Sequence, residues 1–236
     1  MDSIIQKWPN RLVLVRHGSS LFNEERELIN RGIRKTYSSR LRSLRNADVP
    51  LSATGKAQAR KTGVFLKKEY EDFDLIFSSP FRRAHDTTKI ITKYFPKSRL
   101  LIEERIREKE FGITDGITPA ELEKLFPYEH ERKKREKKYY YRPIGGESYP
   151  DVNLRLWSFL NTIVREYAQK NILIVSHSAV MLGFRKLLEK QDEAALLKID
   201  KEDELKNCAI ISYAYDPNFK PKPKMRLEFY NKTVWK

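Results

Sequence analysis

Residues 12–20, LVLVRHGSS, set four apolar residues directly before an arginine and a histidine. The run Leu12–Val15 is continuous and branched, which is typical of a parallel strand buried on both faces. Arg16 and His17 would then stand at the carboxyl end of that strand. Charged residues often end strands at a protein surface, but this pair raises a chemical question, because a cation beside a histidine discourages its protonation.

Three further runs along the chain repeat the pattern of an apolar strand that ends in polar groups. They are FDLIFSS at 73–79, SRLLIEE at 98–104 and NILIVSHS at 171–178. Segments with helical spacing accompany them, at about 52–70, 82–95, 149–168 and 179–190. The segments at 208–216 and 224–231 look like a closing strand pair. Strands that alternate with helices predict an α/β fold, a three-layer α/β/α arrangement with a mostly parallel central sheet.

In such a sheet the carboxyl ends of the parallel strands share one edge, where ligands bind. Two of the four histidines, several arginines and two glutamates would meet there, namely Arg16, His17, Arg82, Arg83, Glu104, Glu108 and His177. Guanidinium groups match phosphate oxygens bidentately, and a helix that begins near Arg82 would point backbone N–H groups at an anion. A neutral imidazole is a competent nucleophile toward phosphorus. These residues therefore predict a pocket for a phosphoryl group.

Release of an alkoxide from phosphorus also needs a proton donor, and Glu104 and Glu108 are both candidates. Arginines can carry the charge stabilisation, so the chemistry requires no metal. The spacing of histidines and acidic residues matches no zinc pattern. Cys208 is the single cysteine, which excludes an internal disulfide and a cysteine cluster for a metal. We therefore predict no metal and no other cofactor.

The chain carries 47 Lys and Arg residues against 32 Asp and Glu residues, a formal net charge of +15. Seven basic residues crowd 26–45, and ERKKREKK at 131–138 forms a second cluster. Such a balance suits nucleic acid, an anionic membrane or small phosphorylated partners. No nucleic-acid-binding motif accompanies the charge. We therefore expect a small phosphorylated substrate and argue against nucleic acid.

A length of 236 residues suits one large α/β domain. No apolar stretch approaches the roughly 20 residues of a membrane span, and residues 1–10 contain no apolar signal region. We expect no membrane partner and a cytoplasmic location, which a single cysteine also fits. The sequence does not indicate an oligomeric state.

LVLVRHGSSLFN, at 12–23, resembles the signature of the histidine phosphatase superfamily, the group that includes cofactor-dependent phosphoglycerate mutases. The resemblance continues in further blocks in family order, which are PLSATGKAQA at 50–59, SSPFRRAHDTT at 78–88, RIREKEFGITDG at 105–116, GGES at 145–148 and ILIVSHSAV at 172–180. It spans roughly 12–190 and implies a phosphoglycerate mutase-like fold. We expect a single domain over 1–236, with a basic insertion at about 24–50 and a charged helical insertion at about 117–143.

The resemblance also implies roles for individual residues. His17 would be the nucleophile that becomes phosphohistidine, and Arg16 and Arg83 would hold the phosphoryl oxygens. His177, in the SHS block, would stabilise the phosphoryl group during transfer. Each of these residues matches the position of its counterpart in a family block.

Four more positions complete the predicted site, and for two of them, Glu108 and Asn23, the resemblance implies the role. Glu108 would be the proton donor, with Glu104 as the reserve choice. Asn23 would contribute a polar contact to the phosphate pocket, and Gly18 would let phosphate approach the backbone closely. Ser178 also falls in the phosphate-binding set, although the family commonly has glycine after the second histidine.

The segment between Asn23 and Pro50 is longer than is usual in the family, and its arginines have no family counterpart. Residues 26–45 are either a solvated loop or a lid over an anionic substrate, which Phe22, Tyr37, Leu41 and Leu44 would help to order. In the second insertion, Tyr139–Arg142 would either pack structurally or shape a pocket for the leaving group.

Three functions remain open at this point. The chain would be a phosphatase in which water takes the phosphoryl group, a phosphoglycerate mutase that excludes water, or a non-catalytic basic scaffold. Every residue type that the chemistry needs is present, which disfavours the scaffold. Residues 117–143 lack the stretch expected to enclose phosphoglycerate, so we favour a phosphomonoesterase.

Overall fold

The computed structural model describes residues 6–221 and 224–235, and within them six strands pair into one sheet. Residues 1–5, part of the stretch considered above for a signal, lie outside the described residues. The strands are β1 (Arg11–Arg16), β2 (Leu75–Ser78), β3 (Arg99–Ile102), β4 (Asn171–Ser176), β5 (Ile210–Asp216) and β6 (Lys224–Lys232). Their order in the sheet is β3-β2-β4-β1-β5-β6.

The first four strands in this order run parallel to one another, whereas β5 and β6 pair antiparallel. The mostly parallel sheet and the closing strand pair predicted from the sequence are therefore confirmed. Strand β1 lies in the interior of the sheet, between β4 and β5, and Leu12–Val15 are fully buried. Its position carries the residues that follow it to the middle of the sheet edge.

Helices cover both faces of the sheet. They are α1 (Leu21–Asn30), α2 (Ser39–Arg42), α3 (Ala53–Glu69), α4 (Arg82–Thr92), α5 (Pro119–Leu125), α6 (Pro127–Tyr140), α7 (Tyr149–Glu166), α8 (Ser178–Glu189) and α9 (Glu193–Glu202). The side chains of β1 alternate between two cores. Leu12 and Leu14 pack in the core of α7 and α8, whereas Val13 and Val15 pack in the core of α3 and α4. The predicted three-layer α/β/α arrangement is confirmed.

Helix α1 lies within a stretch that the sequence pattern did not predict as helical. Ser20 caps its start, because the Ser20 side chain accepts a hydrogen bond from the backbone N–H of Asn23 and Asn23 Oδ1 accepts one from the Ser20 backbone. No residue of α1 is buried. The apolar residues of α1 recur at helical spacing but are only half-buried, and a polar stretch separates them into two pairs, Leu21 and Phe22, and Leu28 and Ile29.

The basic insertion is folded and not a solvated loop. Besides α1 it contains α2 and a 3₁₀ turn at Asn46–Asp48. Tyr37 and Leu41 are buried, and the Tyr37 ring packs against the Phe22 ring, with 4.2 Å between their centroids. Three of the four proposed anchors are thus in place, whereas Leu44 is exposed.

The second insertion contains two helices in place of the single one predicted over 119–138. Helix α5 ends at Leu125, and Pro127 begins α6. Within α6, Lys137 has a φ of 59°, so the helix is interrupted before its last turn. Across 6–221 and 224–235, no helix combines the length and apolarity needed to cross a bilayer.

Candidate active site

The carboxyl edge of the parallel strands opens into a cavity of about 750 Å³. Arg16 is the last residue of β1, and His17 comes directly after it. Arg83 lies in the first turn of α4, the helix that follows β2. Glu108 follows the 3₁₀ turn after β3, and His177 directly follows β4. All of these except the fully buried His177 line the cavity. The structure thus brings together the side chains that the sequence places at strand ends.

His17 is buried, with 3% of its surface exposed, and makes two hydrogen bonds that fix its tautomer. Its Nδ1 lies 2.7 Å from the carbonyl oxygen of Gly18 and donates to it. Arg83 donates from Nε to His17 Nε2 over 3.2 Å. Burial, followed by the charges of Arg83 and Arg16, holds the pKa of His17 well below its usual value. His17 is therefore a neutral imidazole with its lone pair on Nε2.

The backbone of His17 is held by the loop before β5. Its carbonyl oxygen accepts hydrogen bonds from the Cys208 backbone N–H at 3.2 Å and from Asn207 Nδ2 at 3.1 Å. Arg16 likewise donates to the carbonyl oxygen of Leu205. The loop before β5 thus fixes both residues at the end of β1.

His177 is fully buried, and its ring centroid lies 5.1 Å from that of His17. Its Nε2 lies 2.7 Å from Ser79 Oγ. Because Ser79 Oγ also accepts from the Phe81 N–H, its own proton is available for Nε2, and the ring proton then lies on Nδ1. Burial and the charge of Arg83 hold the pKa of His177 well below its usual value.

The Nδ1 atom of His177 is buried without a hydrogen-bond partner in the described part of the chain. Its nearest acidic neighbour is Glu108, whose Oε2 lies 3.7 Å away. A buried donor without a partner is costly, because it has lost its water and gained nothing in return. A phosphoryl oxygen bound beside His17 would supply the missing acceptor.

The guanidinium groups of Arg16 and Arg83 are buried beside His17. Within the described ranges, no carboxylate lies within 4.0 Å of either group. The Nε of Arg16 has no partner there either. Burial and the charge of Arg26 lower the pKa of Arg16 to about 10, and burial also lowers that of Arg83. Arg83 donates to the Asn46 carbonyl oxygen at 2.7 Å. Two buried cations that lack counter-ions make a site for an anion.

Ligand atoms of His17, Glu108 and His177 all lie within 4.8 Å of one another, a spacing that a metal ion could also use. The two neighbouring guanidinium groups oppose that use, because they would repel a dication at close range. The same charges attract the dianion of a phosphate monoester. The electrostatics of the cavity floor therefore favour a phosphoryl group over a metal.

Glu108 is buried and its side chain is oriented by its own neighbour. Oε1 accepts a hydrogen bond from the Lys109 backbone N–H at 3.0 Å, and Oε2 faces His177. Glu104, the reserve candidate for proton donor, is exposed and does not line the cavity. The geometry therefore favours Glu108 for proton transfer at this site.

Asn23 and Ser178 line the cavity, but Gly18 does not. The Asn23 Oδ1 is already engaged as the cap of α1 and as an acceptor from Asn207 Nδ2 at 3.3 Å. A Cβ on Gly18 would lie 2.5 Å from the carbonyl oxygen of Gly55 in α3. Close packing against that helix is thus a structural reason for glycine here, whereas its approach to phosphate stays a prediction.

Three supporting residues were not predicted as part of the site. Ser79 holds His177, and Asn46 holds Arg83, as described above. Thr87 Oγ1 accepts from the Gly18 N–H at 3.0 Å and donates to the Arg83 carbonyl oxygen at 2.7 Å. Ser79 and Thr87 both belong to the block SSPFRRAHDTT, so a signal for them exists in the sequence. Asn46 lies in the basic insertion and carries no such signal.

The two insertions build the outer wall of the cavity. Each insertion contributes one aromatic residue to the cavity lining, Tyr37 from the first and Tyr141 from the second. The other aromatic residues of the lining are Phe22, Phe111 and Tyr149. The insertions are also tied to each other, since Arg42 forms an ion pair with Glu121. Asn46 Nδ2 in addition donates to Asp115 Oδ1 at 2.8 Å.

The chain resembles known proteins in its sequence. The model of the histidine phosphatase superfamily (branch 1) matches residues 12–222. Fructose-2,6-bisphosphatase of Saccharomyces cerevisiae is 30% identical over 178 residues, which are 75% of this chain and 34% of that protein. This chain thus spans about a third of the yeast protein. The 2,3-bisphosphoglycerate-dependent phosphoglycerate mutase 2 of Gloeobacter violaceus is 30% identical over 86% of this chain and 85% of its own length.

Solved structures show the same architecture. Mycobacterial glucosyl-3-phosphoglycerate phosphatase, in complex with inorganic phosphate, has a TM-score of 0.71 over 96% of this chain and 99% of its own, at 22% identity. The relatives and structural neighbours thus include phosphatases of this superfamily. The family match also extends past residue 190, to which the resemblance recognised in the sequence reaches. With that match over most of its length, the chain belongs to the histidine phosphatase superfamily, branch 1.

Proposed function

We propose that this chain is a metal-independent phosphomonoester hydrolase that works through a phosphohistidine on His17. The observation that carries the proposal is the state of that side chain, a buried neutral imidazole whose Nε2 accepts a hydrogen bond from Arg83. Attack on phosphorus needs a lone pair of this kind. The phosphatases among the relatives and structural neighbours support the same reading.

In the proposed first step, Arg16 and Arg83 bind the non-bridging oxygens of the substrate's phosphoryl group. His17 Nε2 attacks the phosphorus, and the bond from phosphorus to the ester oxygen breaks. Glu108, in its protonated form, donates its proton to the departing oxygen. The Nδ1–H of His177 stabilises the charge on the transferring phosphoryl group.

In the proposed second step, the Glu108 carboxylate takes a proton from a water molecule, and the water oxygen attacks the phosphorus of phosphohistidine. The N–P bond breaks, which releases inorganic phosphate and restores the neutral imidazole of His17. Glu108 ends the cycle protonated, ready for the next ester. Both steps therefore use one carboxyl group, first as acid and then as base.

A mutase is the second candidate, because the Gloeobacter mutase is 30% identical across 86% of this chain. A mutase would return the phosphoryl group from His17 to a bound phosphoglycerate and would keep water out. The absence of an enclosing stretch within 117–143 stays a sequence prediction against it. Activity on 3-phosphoglycerate that depends on 2,3-bisphosphoglycerate and releases little inorganic phosphate would reverse our preference.

Rapid-quench labelling with a ³²P-phosphomonoester tests the central proposal. The wild type should form an acid-labile phosphoenzyme within one turnover, and His17→Ala should form none. His85→Gln is the matched control, since His85 lies on α4 outside the cavity lining. A wild type without a phosphoenzyme would contradict the enzyme hypothesis and favour the non-catalytic scaffold. Equal labelling of His17→Ala would contradict His17 as the nucleophile.

The proposal includes a small phosphorylated substrate and a single domain over 1–236. In that domain, the insertions at about 24–50 and 117–143 would select the leaving group, because both line the cavity. The cytoplasmic location stays a prediction.

A further inference from the structure

The loop at 203–209 joins α9 to β5 and holds the end of β1, as described above. Within 203–209, no residue belongs to a helix or a strand. Such a loop has no ladder of backbone hydrogen bonds of its own, so its shape depends on the groups that contact it. Two side chains from the segment that begins with β6 supply such contacts.

Asn231, near the end of β6, binds the first half of this loop. Its Nδ2 donates to the carbonyl oxygen of Glu204 over 3.1 Å, and its Oδ1 accepts from the Lys206 N–H over 2.9 Å. Asn231 has a φ of 55°, in the left-handed region that asparagine tolerates better than most residues. One side-chain amide thus pairs with a backbone acceptor and a backbone donor of the loop, as the backbone of a neighbouring strand would.

Trp235 binds the second half of the loop. Its Nε1 donates to the Asn207 carbonyl oxygen over 2.8 Å. The side chain of Asn207 in turn donates from Nδ2 to the carbonyl oxygen of His17 over 3.1 Å. Two hydrogen bonds therefore connect Trp235, through a single residue, to the backbone of the proposed nucleophile.

The segment around Trp235 is fixed to the body of the domain. Val234 packs against the core that contains Val13 and Val15. The carbonyl oxygen of Trp235 accepts a hydrogen bond from Lys61 Nζ, on α3, over 3.3 Å. Trp235 therefore ties the loop to the helix layer that also packs on β1.

Asn231 and Trp235 lie outside the stretch that the family model matches, which is 12–222. Neither residue lines the cavity, so neither would touch a substrate there. Any influence that they have on the chemistry must pass through the 203–209 loop.

The position of the His17 backbone decides where Nε2 of the ring lies. The ring is tied to the local backbone, because its Nδ1 donates to the Gly18 carbonyl oxygen over 2.7 Å. A shift of this backbone would carry Nε2 away from Arg83 and from a phosphoryl group bound beside it. A misplacement of about 1 Å can cost a factor of about 100 in rate. The residues that hold the loop therefore have a route to the reacting atom.

We propose that Asn231 and Trp235 are positioning residues of the active site, which hold the 203–209 loop in the shape that aligns His17 for attack on phosphorus. This inference rests on the proposed function and extends its machinery to a segment that the family match does not cover. The chemical step is unchanged, since His17 Nε2 forms the bond to phosphorus as the ester oxygen leaves. Asn231 and Trp235 determine how well that atom is aligned with the phosphorus.

Rapid-quench kinetics on two variants tests the positioning role. Trp235→Phe keeps an aromatic ring and removes the N–H, whereas Asn231→Gly removes the amide at a φ that glycine adopts freely. Each variant should slow the formation of phosphohistidine at a saturating phosphomonoester by about tenfold. KM should change less, because Arg83 is held by Asn46 and not by the loop.

Trp157→Phe is the matched control, since Trp157 is an exposed tryptophan of α7 outside the cavity lining. It should keep the wild-type rate of phosphorylation and the wild-type KM. Wild-type phosphorylation rates in both Trp235→Phe and Asn231→Gly overturn the positioning role. A rise in KM without a fall in the phosphorylation rate also overturns it, because that change reports substrate binding and not alignment of the nucleophile.

Hydrogen exchange separates failure of this inference from failure of the proposed activity, because it needs no turnover. The Cys208 amide, which donates to the His17 carbonyl oxygen, should exchange about tenfold faster in Trp235→Phe and in Asn231→Gly than in the wild type. The amide of Val175, in β4, should keep its wild-type exchange rate. Unchanged exchange at Cys208 overturns the inference even if the wild type hydrolyses esters. Faster exchange at Cys208 in a protein whose wild type forms no phosphoenzyme overturns the phosphatase proposal alone.

Discussion

The Nε of Arg83 donates a hydrogen bond to the Nε2 of His17 over 3.2 Å, so a buried cation contacts the atom that we propose as nucleophile. This contact keeps a proton off Nε2 while the cavity is empty. When a phosphoryl group binds between the two side chains, the same N–H can turn to a phosphate oxygen. The partner that protects the lone pair is thus also placed to receive the substrate.

The pH dependence of stability should report the two buried histidines. Folding lowers the pKa of His17 and of His177 well below 6.5, so the unfolded chain binds more protons as pH falls below that value. The free energy of unfolding should therefore fall as the solution is acidified through this range, by up to about 1.4 kcal/mol per pH unit for each histidine.

Urea unfolding between pH 7.5 and 5 measures how steeply the free energy of unfolding falls as the pH falls. His177→Gln should make this pH dependence shallower, because it removes one of the two buried histidines that take up a proton on unfolding. Equal slopes for His177→Gln and the wild type would show that His177 does not stay neutral in the folded protein.

Removal of the Ser79 hydroxyl should impair catalysis through His177. Without the 2.7 Å contact at Nε2, nothing fixes the proton on Nδ1, so we expect Ser79→Ala to lower kcat by about tenfold with a smaller change in KM. Ser78→Ala removes the neighbouring buried hydroxyl, which bonds Thr88 and the Ser79 carbonyl oxygen but not His177. Similar kcat values for the two variants would rule out this positioning role.

The contact between Gly18 and Gly55 should tolerate no side chain. A Cβ on Gly55 would lie 2.0 Å from the Ser19 carbonyl oxygen, which forces the end of β1 away from α3. We expect Gly55→Ala to cost about 3 kcal/mol or more in the free energy of unfolding. Gly32→Ala, where φ is +72° but no atom lies within 4 Å, should cost only about 1 kcal/mol.

Asp115 lines the cavity and should influence Arg83 both through its charge and through Asn46. It accepts from Asn46 Nδ2, and the Asn46 carbonyl oxygen in turn holds Arg83. Asp115→Ala should therefore raise KM for phosphomonoesters severalfold. Asp48→Ala removes an acidic group from the same 3₁₀ turn as Asn46 and should have little effect, since it loses only an exposed pair with Arg45.

The sequence predicted the helices and strands that can be recognised from the spacing of their own apolar residues. The strand at 12–16 and the helices at α3, α4, α7 and α8 were recognised because apolar side chains recur there with a regular period. Helices α1 and α9 were not recognised, because both are short and neither has a run of fully buried apolar residues: α1 has none and α9 has only Leu196. A helix of ten residues leaves only a short periodic signal.

The candidate site likewise has one part that the sequence predicted and another part that it did not. Side chains at strand ends were predicted to converge, since parallel strands share one edge. The link from Asn46 to Arg83 spans 37 residues, and it depends on a turn whose position no pattern reveals. The outer wall of the cavity likewise depends on how α5 and α6 pack, which the charge of these helices alone does not specify.

The hold that Leu205, Asn207 and Cys208 exert on the end of β1 has a consequence for folding. Arg16 and His17 gain these partners only when residues about 190 positions further along the chain have folded against them. Contacts of such separation form slowly, because a long loop must close first, so the end of β1 becomes fixed only when distant parts of the chain have come together.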